Sequence, residues 1–303
     1  MDIAMIGLGK MGASMAERLL GGGQRVIGFD PDRNAVAELE KKGAEGAAAL
    51  SELKAKLDPP RKLWLMVPAG EPTENTLVEL GELLSEGDVI VDGGNSDYRD
   101  TLRRAAALKE KGIYLVDAGT SGGVWGLTEG YSLMIGGEEE PVKLIEPALQ
   151  TLAPEPDRGW GRVGPAGAGH FVKMVHNGIE YGMMEAYAEG FALMKAKEEF
   201  NLDLEKIAGI WRYGSVIRSW LLDLIERALA EDPDLSSIKA YVSDSGEGRW
   251  TVREGNDLGI PLPVISLALQ ERFRSRLPAP FSDKLLAALR RQFGGHAVKE
   301  EDA

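Results

Sequence analysis

The sequence predicts an α/β N-terminal domain over residues 1–165 and an all-α C-terminal domain over residues 166–303. Three observations predict it. Short apolar runs alternate with helix-like patterns through the first half. A glycine-rich loop closes the first of those runs and opens the first helix. From about Gly167 onward only helical spacing remains. A chain of 303 residues has room for two cores of this kind.

The strand candidates are Ile3–Ile6, Val26–Phe29, Leu63–Val67, Val89–Val91 and Ile113–Val116, with Tyr131–Ile135 as a further one. Each is short, rich in Val, Ile and Leu, and stopped by Gly, Asp or Pro. Continuous apolar runs of this length suit strands buried on both faces. Between them Met11–Leu20, Ala35–Lys42, Thr73–Leu84 and Thr101–Lys111 have helical spacing. Strand–helix alternation implies right-handed crossovers on a parallel sheet. Ala44–Ala49 reads as small-residue loop or helix, and the Gly-rich segment Gly159–Gly169 as the domain boundary. Beyond it His170–Lys197, Leu204–Ala230, Val264–Ser275 and Ser282–Phe293 read as helices.

Composition narrows the function. With no cysteine, thiolate catalysis and Cys-ligated metal sites are excluded. Three histidines, His170, His176 and His296, argue against a poly-His metal site, so no metal is expected. The formal charge of −13 disfavours nucleic acid and anionic membranes as partners. No apolar run approaches the ~20 residues of a membrane helix. The first residues lack a basic segment before their apolar stretch, so a cytoplasmic protein is the expectation.

Gly7-Leu8-Gly9-Lys10-Met11-Gly12 follows the first strand. The first glycine permits a tight turn, the second lets backbone approach a pyrophosphate, and the third lets helix pack on strand. The helix N-terminus then offers free N–H groups to phosphate. The context predicts a Rossmann-type dinucleotide site. Asp30 ends the second strand, where a carboxylate can bond both ribose hydroxyls and repel a 2′-phosphate. It could instead cap the next turn, and Arg33 could receive a 2′-phosphate. NAD is expected in preference to NADP.

Lys173, His176, Asn177 and Glu180 fall at i, i+3, i+4 and i+7 of one helix. The seven-residue span separates Lys173 from Glu180 by about 10 Å. An acid and a base that far apart could serve two carbons of one extended substrate. Lys can act as a base when its pKa is depressed, and Glu as an acid when its own is raised. The alternative is a solvated Lys–Glu face, against which His, Asn and Tyr181 on the stripe argue.

These residues closely resemble the 6-phosphogluconate dehydrogenases, the decarboxylating enzymes of the pentose phosphate pathway. The resemblance rests on GLGKMG at 7–12, VPAG at 67–70, DGGNSDY at 92–98, Ser121-Gly122-Gly123, HFVKMVHNGIEYG at 170–182, GEGRWT at 246–251 and FGGH at 293–296. It implies that Lys173 takes the proton from the substrate 3-hydroxyl as hydride passes to NAD. The 3-keto acid then loses CO2, and Glu180 helps protonate the product, ribulose 5-phosphate. It places Gly7, Gly9, Lys10, Met11, Gly12, Asp30, Val67, Ala69 and Asn95 at the cofactor. Asn95, Ser121, Gly122, Gly123, His176 and Asn177 line the sugar-acid site. Tyr181, Arg272, Arg290 and His296 surround the phosphate. The family's tail reaches a neighbouring subunit's site, which implies a homo-oligomer, dimer or tetramer. Two departures stand out. Ser245 occupies a position held by Lys in longer members, and Val124-Trp125-Gly126-Leu127 replaces an acidic continuation. A non-decarboxylating β-hydroxyacid dehydrogenase of the 3-hydroxyisobutyrate type and a non-catalytic nucleotide sensor are the competing readings.

Overall fold

The apolar runs of the first half form one eight-stranded sheet in the computed structural model, which describes residues 1–294 and 297–299. Its strands are β1 (Asp2–Ile6), β2 (Arg25–Phe29), β3 (Glu45–Gly46), β4 (Lys62–Leu65), β5 (Val89–Asp92), β6 (Tyr114–Ser121), β7 (Ser132–Gly136) and β8 (Trp160–Gly164). Their order is β3-β2-β1-β4-β5-β6-β7-β8. All pairs are parallel except β6 with β7. The expected α/β layer with an all-α continuation is therefore the observed class.

Alternation along each strand splits the buried residues between two faces. Ile3, Met5, Val89, Val91 and Val116 pack with Met15, Leu19, Ile145 and Leu149 on one side. Ala4, Ile6, Leu63, Leu65 and Ile90 pack with Leu53, Leu77, Leu80 and Leu108 on the other. Helices on both faces explain why the strands read as unbroken apolar runs rather than alternating ones.

Some elements depart from the expectation. The segment 44–49, expected as loop or helix, contributes the two-residue edge strand β3. The Gly-rich segment expected as a boundary contains β8, paired with β7. Edge strands are half exposed and need little apolar content. The helices Leu50–Lys56 and Glu139–Leu152 also went unread, the second because Pro147 lies inside it.

The chain divides into two compact units, Met1–His176 and Asn177–Ala303, within the helix Ala168–Ala196. In the second unit the single run expected over 204–230 is two helices, Leu204–Trp211 and Trp220–Glu231. Gly214 at φ +72° breaks the chain between them, and Ser219 caps the second by accepting the Leu222 N–H. The helix Glu247–Leu258 was hidden by its glycines, which serve packing. A Cβ at Gly248 would lie 2.5 Å from the Tyr181 ring, and one at Gly255 2.5 Å from Leu262. Pro263–Arg274 and Phe281–Gly294 complete the described helices.

In the first unit a buried ionic cluster ties together the loops after β4 and β5. Asp92 is fully buried and accepts the Ser96 hydroxyl at 2.7 Å. Arg104, 4% exposed, donates to Glu74 at 2.8 Å, to Ser96 Oγ at 3.3 Å and to the Gly70 carbonyl at 3.2 Å. Arg103 grips the same Glu74 with bonds of 2.8 and 2.6 Å. Arg103, then Arg104, pull the Glu74 carboxyl down from 4.5 to about 2. A depressed folded-state pKa stabilises the fold above pH 4.5, and this contribution is lost as pH falls from 4.5 toward 2. Glu74→Gln is expected to lower stability at pH 7 and to flatten this acid limb. Urea midpoints measured across that pH range check it; parallel curves for the two proteins would contradict it.

Candidate active site

Parallel pairing of β1, β2, β4, β5 and β6 brings their carboxyl ends to one edge of the sheet, where such sheets bind ligands. Gly7 follows β1 at φ +90°, and a Cβ there would lie 2.6 Å from the Met66 carbonyl oxygen. A Cβ on Gly12 would lie 1.9 Å from the Gly7 carbonyl oxygen, so only glycine lets the helix Lys10–Gly21 start against the strand. At Gly9, by contrast, a Cβ would meet no atom within 4 Å. The loop is closed against the sheet and open outward, and Gly9 precedes a helix start with no side-chain cap. That shape fits a pyrophosphate lying on backbone N–H groups. Lys10 is exposed and Met11 half-buried beside it.

Asp30 is half-buried at the end of β2. One carboxylate oxygen accepts the Leu8 N–H at 2.7 Å and the other the Asp32 N–H at 2.8 Å. The capping alternative is thus realised, and the same carboxylate holds the glycine loop. Arg33 donates to the carbonyls of Ala47 and Ala48 at 3.2 and 2.5 Å, which commits its guanidinium to a neighbouring loop. Val67 and Ala69 lie in the loop after β4, whose turn is held by the Thr73 hydroxyl on the Pro68 carbonyl at 2.8 Å. Asn95 is exposed in the loop after β5. Ser121 ends β6, and Gly122 and Gly123 follow at φ +129° and +51°, in the left-handed region that favours glycine.

Lys173 is 7% exposed on the helix Ala168–Ala196, its Nζ 3.5 Å from His176 Nδ1. Lysine is rarely buried unless its ammonium is paired. The helix start lies unusually close to β6 and β7. A Cβ on Gly119 would be 2.5 Å from Lys173 Cβ, and one on Gly169 would be 2.4 Å from the Met134 carbonyl oxygen. Two buried residues at this contact were not singled out from sequence for it. Asp117 accepts the N–H groups of Gly167 and His170, and the Thr101 hydroxyl meets His170 Nδ1 at 2.7 Å. In the sequence Asp117 simply follows the apolar run 113–116, so no local signal marks it.

In the second unit Asn177, Glu180 and Tyr181 continue the same helix. Tyr181 is buried, and the Arg272 guanidinium lies 3.4 Å from its ring centroid while donating to the Ser243 carbonyl at 3.1 Å. Tyr181 and Arg272 share a cavity of about 580 Å³ with Glu185 and Glu271. Burial, then Glu271, pushes the Glu185 carboxyl up. Arg249 and Arg276 are spent on Asp244, whose carboxyl Arg249 holds down at about 2. Ser245 donates to the buried Glu247 at 2.5 Å. Arg290 is exposed on Phe281–Gly294. The remaining expected phosphate residue, His296, lies outside the described residues. Among the described residues no group of three or more His, Asp or Glu is arranged to hold a metal, and no helix is long and apolar enough to cross a membrane.

Comparison with known proteins places this geometry. The family model for the NAD binding domain of 6-phosphogluconate dehydrogenase matches residues 2–161. The model for that enzyme's C-terminal domain matches residues 169–198 and 185–303. The YqeC protein of Bacillus subtilis is 46% identical over 301 residues, covering 99% of this chain and all of its own. The NAD(+)-dependent, decarboxylating 6-phosphogluconate dehydrogenase of Haloferax volcanii is 44% identical over 303 residues, covering both chains completely. Among solved structures, the Plasmodium falciparum 6-phosphogluconate dehydrogenase superposes with a TM-score of 0.84 at 27% identity, over all of this chain and 67% of that one. Matched along nearly its whole length, the chain belongs to the 6-phosphogluconate dehydrogenase family.

Proposed function

We propose that this chain oxidises and decarboxylates 6-phosphogluconate to ribulose 5-phosphate and CO2 with reduction of NAD. One observation carries the reading within the family. The buried Lys173 packs against Gly119, near the carboxyl end of β6, on the sheet edge that also carries the open glycine loop. The bound nicotinamide supplies a hydride acceptor. Lys173, neutral at the start, takes the proton from the 3-hydroxyl as hydride leaves C3. The resulting ammonium then polarises the 3-ketone, and loss of CO2 from the β-keto acid follows without a metal. Glu180, seven residues along the same helix, delivers a proton to the carbon that lost CO2.

The remaining roles follow from placement and family likeness. Asn95, Ser121, Gly122, Gly123, His176 and Asn177 would hold the sugar acid. Tyr181 and Arg272 would take the phosphate, the guanidinium through its planar fork. Arg290 and His296 would complete that end from a second copy of the chain, which makes the active form a homo-oligomer. Ser245 is turned to Glu247, whereas Arg272 lines the cavity beside Tyr181, which supports it as a cation for the phosphate.

NAD is preferred for two reasons. A carboxylate at the end of β2, as Asp30 is, would repel a 2′-phosphate, and the Arg33 guanidinium is already engaged by backbone carbonyls.

Three measurements check the proposal. Purified protein with 6-phosphogluconate and NAD should yield NADH and CO2 in equal amounts; NADH without CO2 would favour a non-decarboxylating β-hydroxyacid dehydrogenase. Lys173→Met should lower kcat by about 10³-fold, within the range of a lost general base, while NAD affinity is retained. Substantial turnover in that variant would remove Lys173 as the base. Asp30→Ala should narrow the NAD-over-NADP ratio of kcat/KM by about tenfold, the size of a charged hydrogen bond. An unchanged ratio would move the specificity elsewhere.

A further inference from the structure

We propose that Asp117 is a positioning residue for Lys173, and that β6 sets the spacing between the base and the substrate loop. The inference rests on the reading of Lys173 as the base. Asp117 is fully buried in the middle of β6. One carboxylate oxygen accepts the Gly167 N–H at 2.7 Å, the other the His170 N–H at 2.8 Å. The helix begins at Ala168, so these amides have no partner within it. Pro165-Ala166-Gly167, just before the helix, offers no side-chain acceptor, and the cap comes instead from a strand 50 residues away in sequence. A carboxylate at that end is favoured by the helix dipole, and its hydrogen bonds are of the strong, charge-assisted kind.

Two bonds from one rigid carboxylate fix both the height and the rotation of the first turn. Lys173 is one turn beyond His170, so its Nζ is aimed by the same clamp. No side chain intervenes at the contact. A Cβ on Gly136 of β7 would lie 2.4 Å from Asp117 Oδ1 and 2.6 Å from the Gly169 nitrogen, and Gly119 meets Lys173 directly. The Thr101–His170 bond adds a third point of attachment. Four residues beyond Asp117, or about 13 Å of extended strand, β6 delivers Ser121 to the loop assigned to the substrate. The base and the loop thus hang from one strand.

Asp117→Asn tests this in the full-length protein. The amide can accept one of the two N–H groups but presents its own donors to the other. The first turn must shift, and a displacement near 1 Å costs on the order of 10²-fold in rate. The expected result is a kcat about 100-fold lower, with KM for 6-phosphogluconate and the Kd of NAD little changed. The primary isotope effect with substrate deuterated at C3 should rise, because hydride transfer becomes rate-limiting. Hydrogen exchange at the Gly167 and His170 amides should quicken. A wild-type kcat, or a loss shared equally by NAD affinity, would overturn the proposal. If Asp117→Asn does not fold, Gly119→Ala presses on both Lys173 Cβ and the Gly169 carbonyl and so displaces the helix start while leaving the Asp117 carboxylate in place, and the same split between kcat and KM is expected; a wild-type kcat there would also overturn it. Failure of the underlying reading is recognised separately, as wild-type protein whose turnover is indifferent to Lys173→Met.

Discussion

Parallel pairing of the central strands is the constraint from which the site follows. Five strands that run the same way must release their chain at the same edge, whatever their order in sequence. The glycine loop, the Asp30 carboxylate, the two loops joined by Arg104 and Glu74, and the serine–glycine turn all arrive there for that reason. Helices are then obliged to cover both faces, and the burial of Ile3, Ala4, Met5 and Ile6 alike, shared between the two faces, records their presence.

At this edge the structure substitutes backbone contact for side-chain packing. Gly12 against Gly7, Gly119 against Lys173 and Gly169 against Met134 are approaches that no larger residue allows. Such contacts leave little room for adjustment, as the proton transfer proposed for Lys173 would require. The second unit works differently. There aromatic and guanidinium groups, Tyr181 with Arg272 and Phe273 with Arg249, supply broad contact faces.

Much of this was legible in the sequence. Continuous Val, Ile and Leu runs marked five central strands, and the GLGKMG spacing marked the turn after β1 because Gly7 and Gly12 have steric causes. The Lys173–Glu180 stripe was visible because helical periodicity is local. What stayed hidden was whatever depends on contacts distant in sequence. β3 and β8 are strands because a neighbour pairs with them, not because their own residues prefer it. Ser219 capping a second helix inside an apolar run is invisible until the chain bends at Gly214. Asp117 is an ordinary strand-end residue in sequence, and only the fold shows its carboxylate meeting a helix that begins 51 positions later.

The double engagement of Asp30 bears on how this family can drift between cofactors. A residue that only selected the ribose could be exchanged freely whenever the cellular supply of dinucleotides changed. Whatever it does for the proposed ribose, the carboxylate is a strut of the glycine loop, through the Leu8 amide. Any replacement that welcomes a 2′-phosphate while abandoning that strut loosens the grip on every dinucleotide at once. Asn at position 30 can keep the bond to the Leu8 amide while giving up the charge and one of the two acceptors.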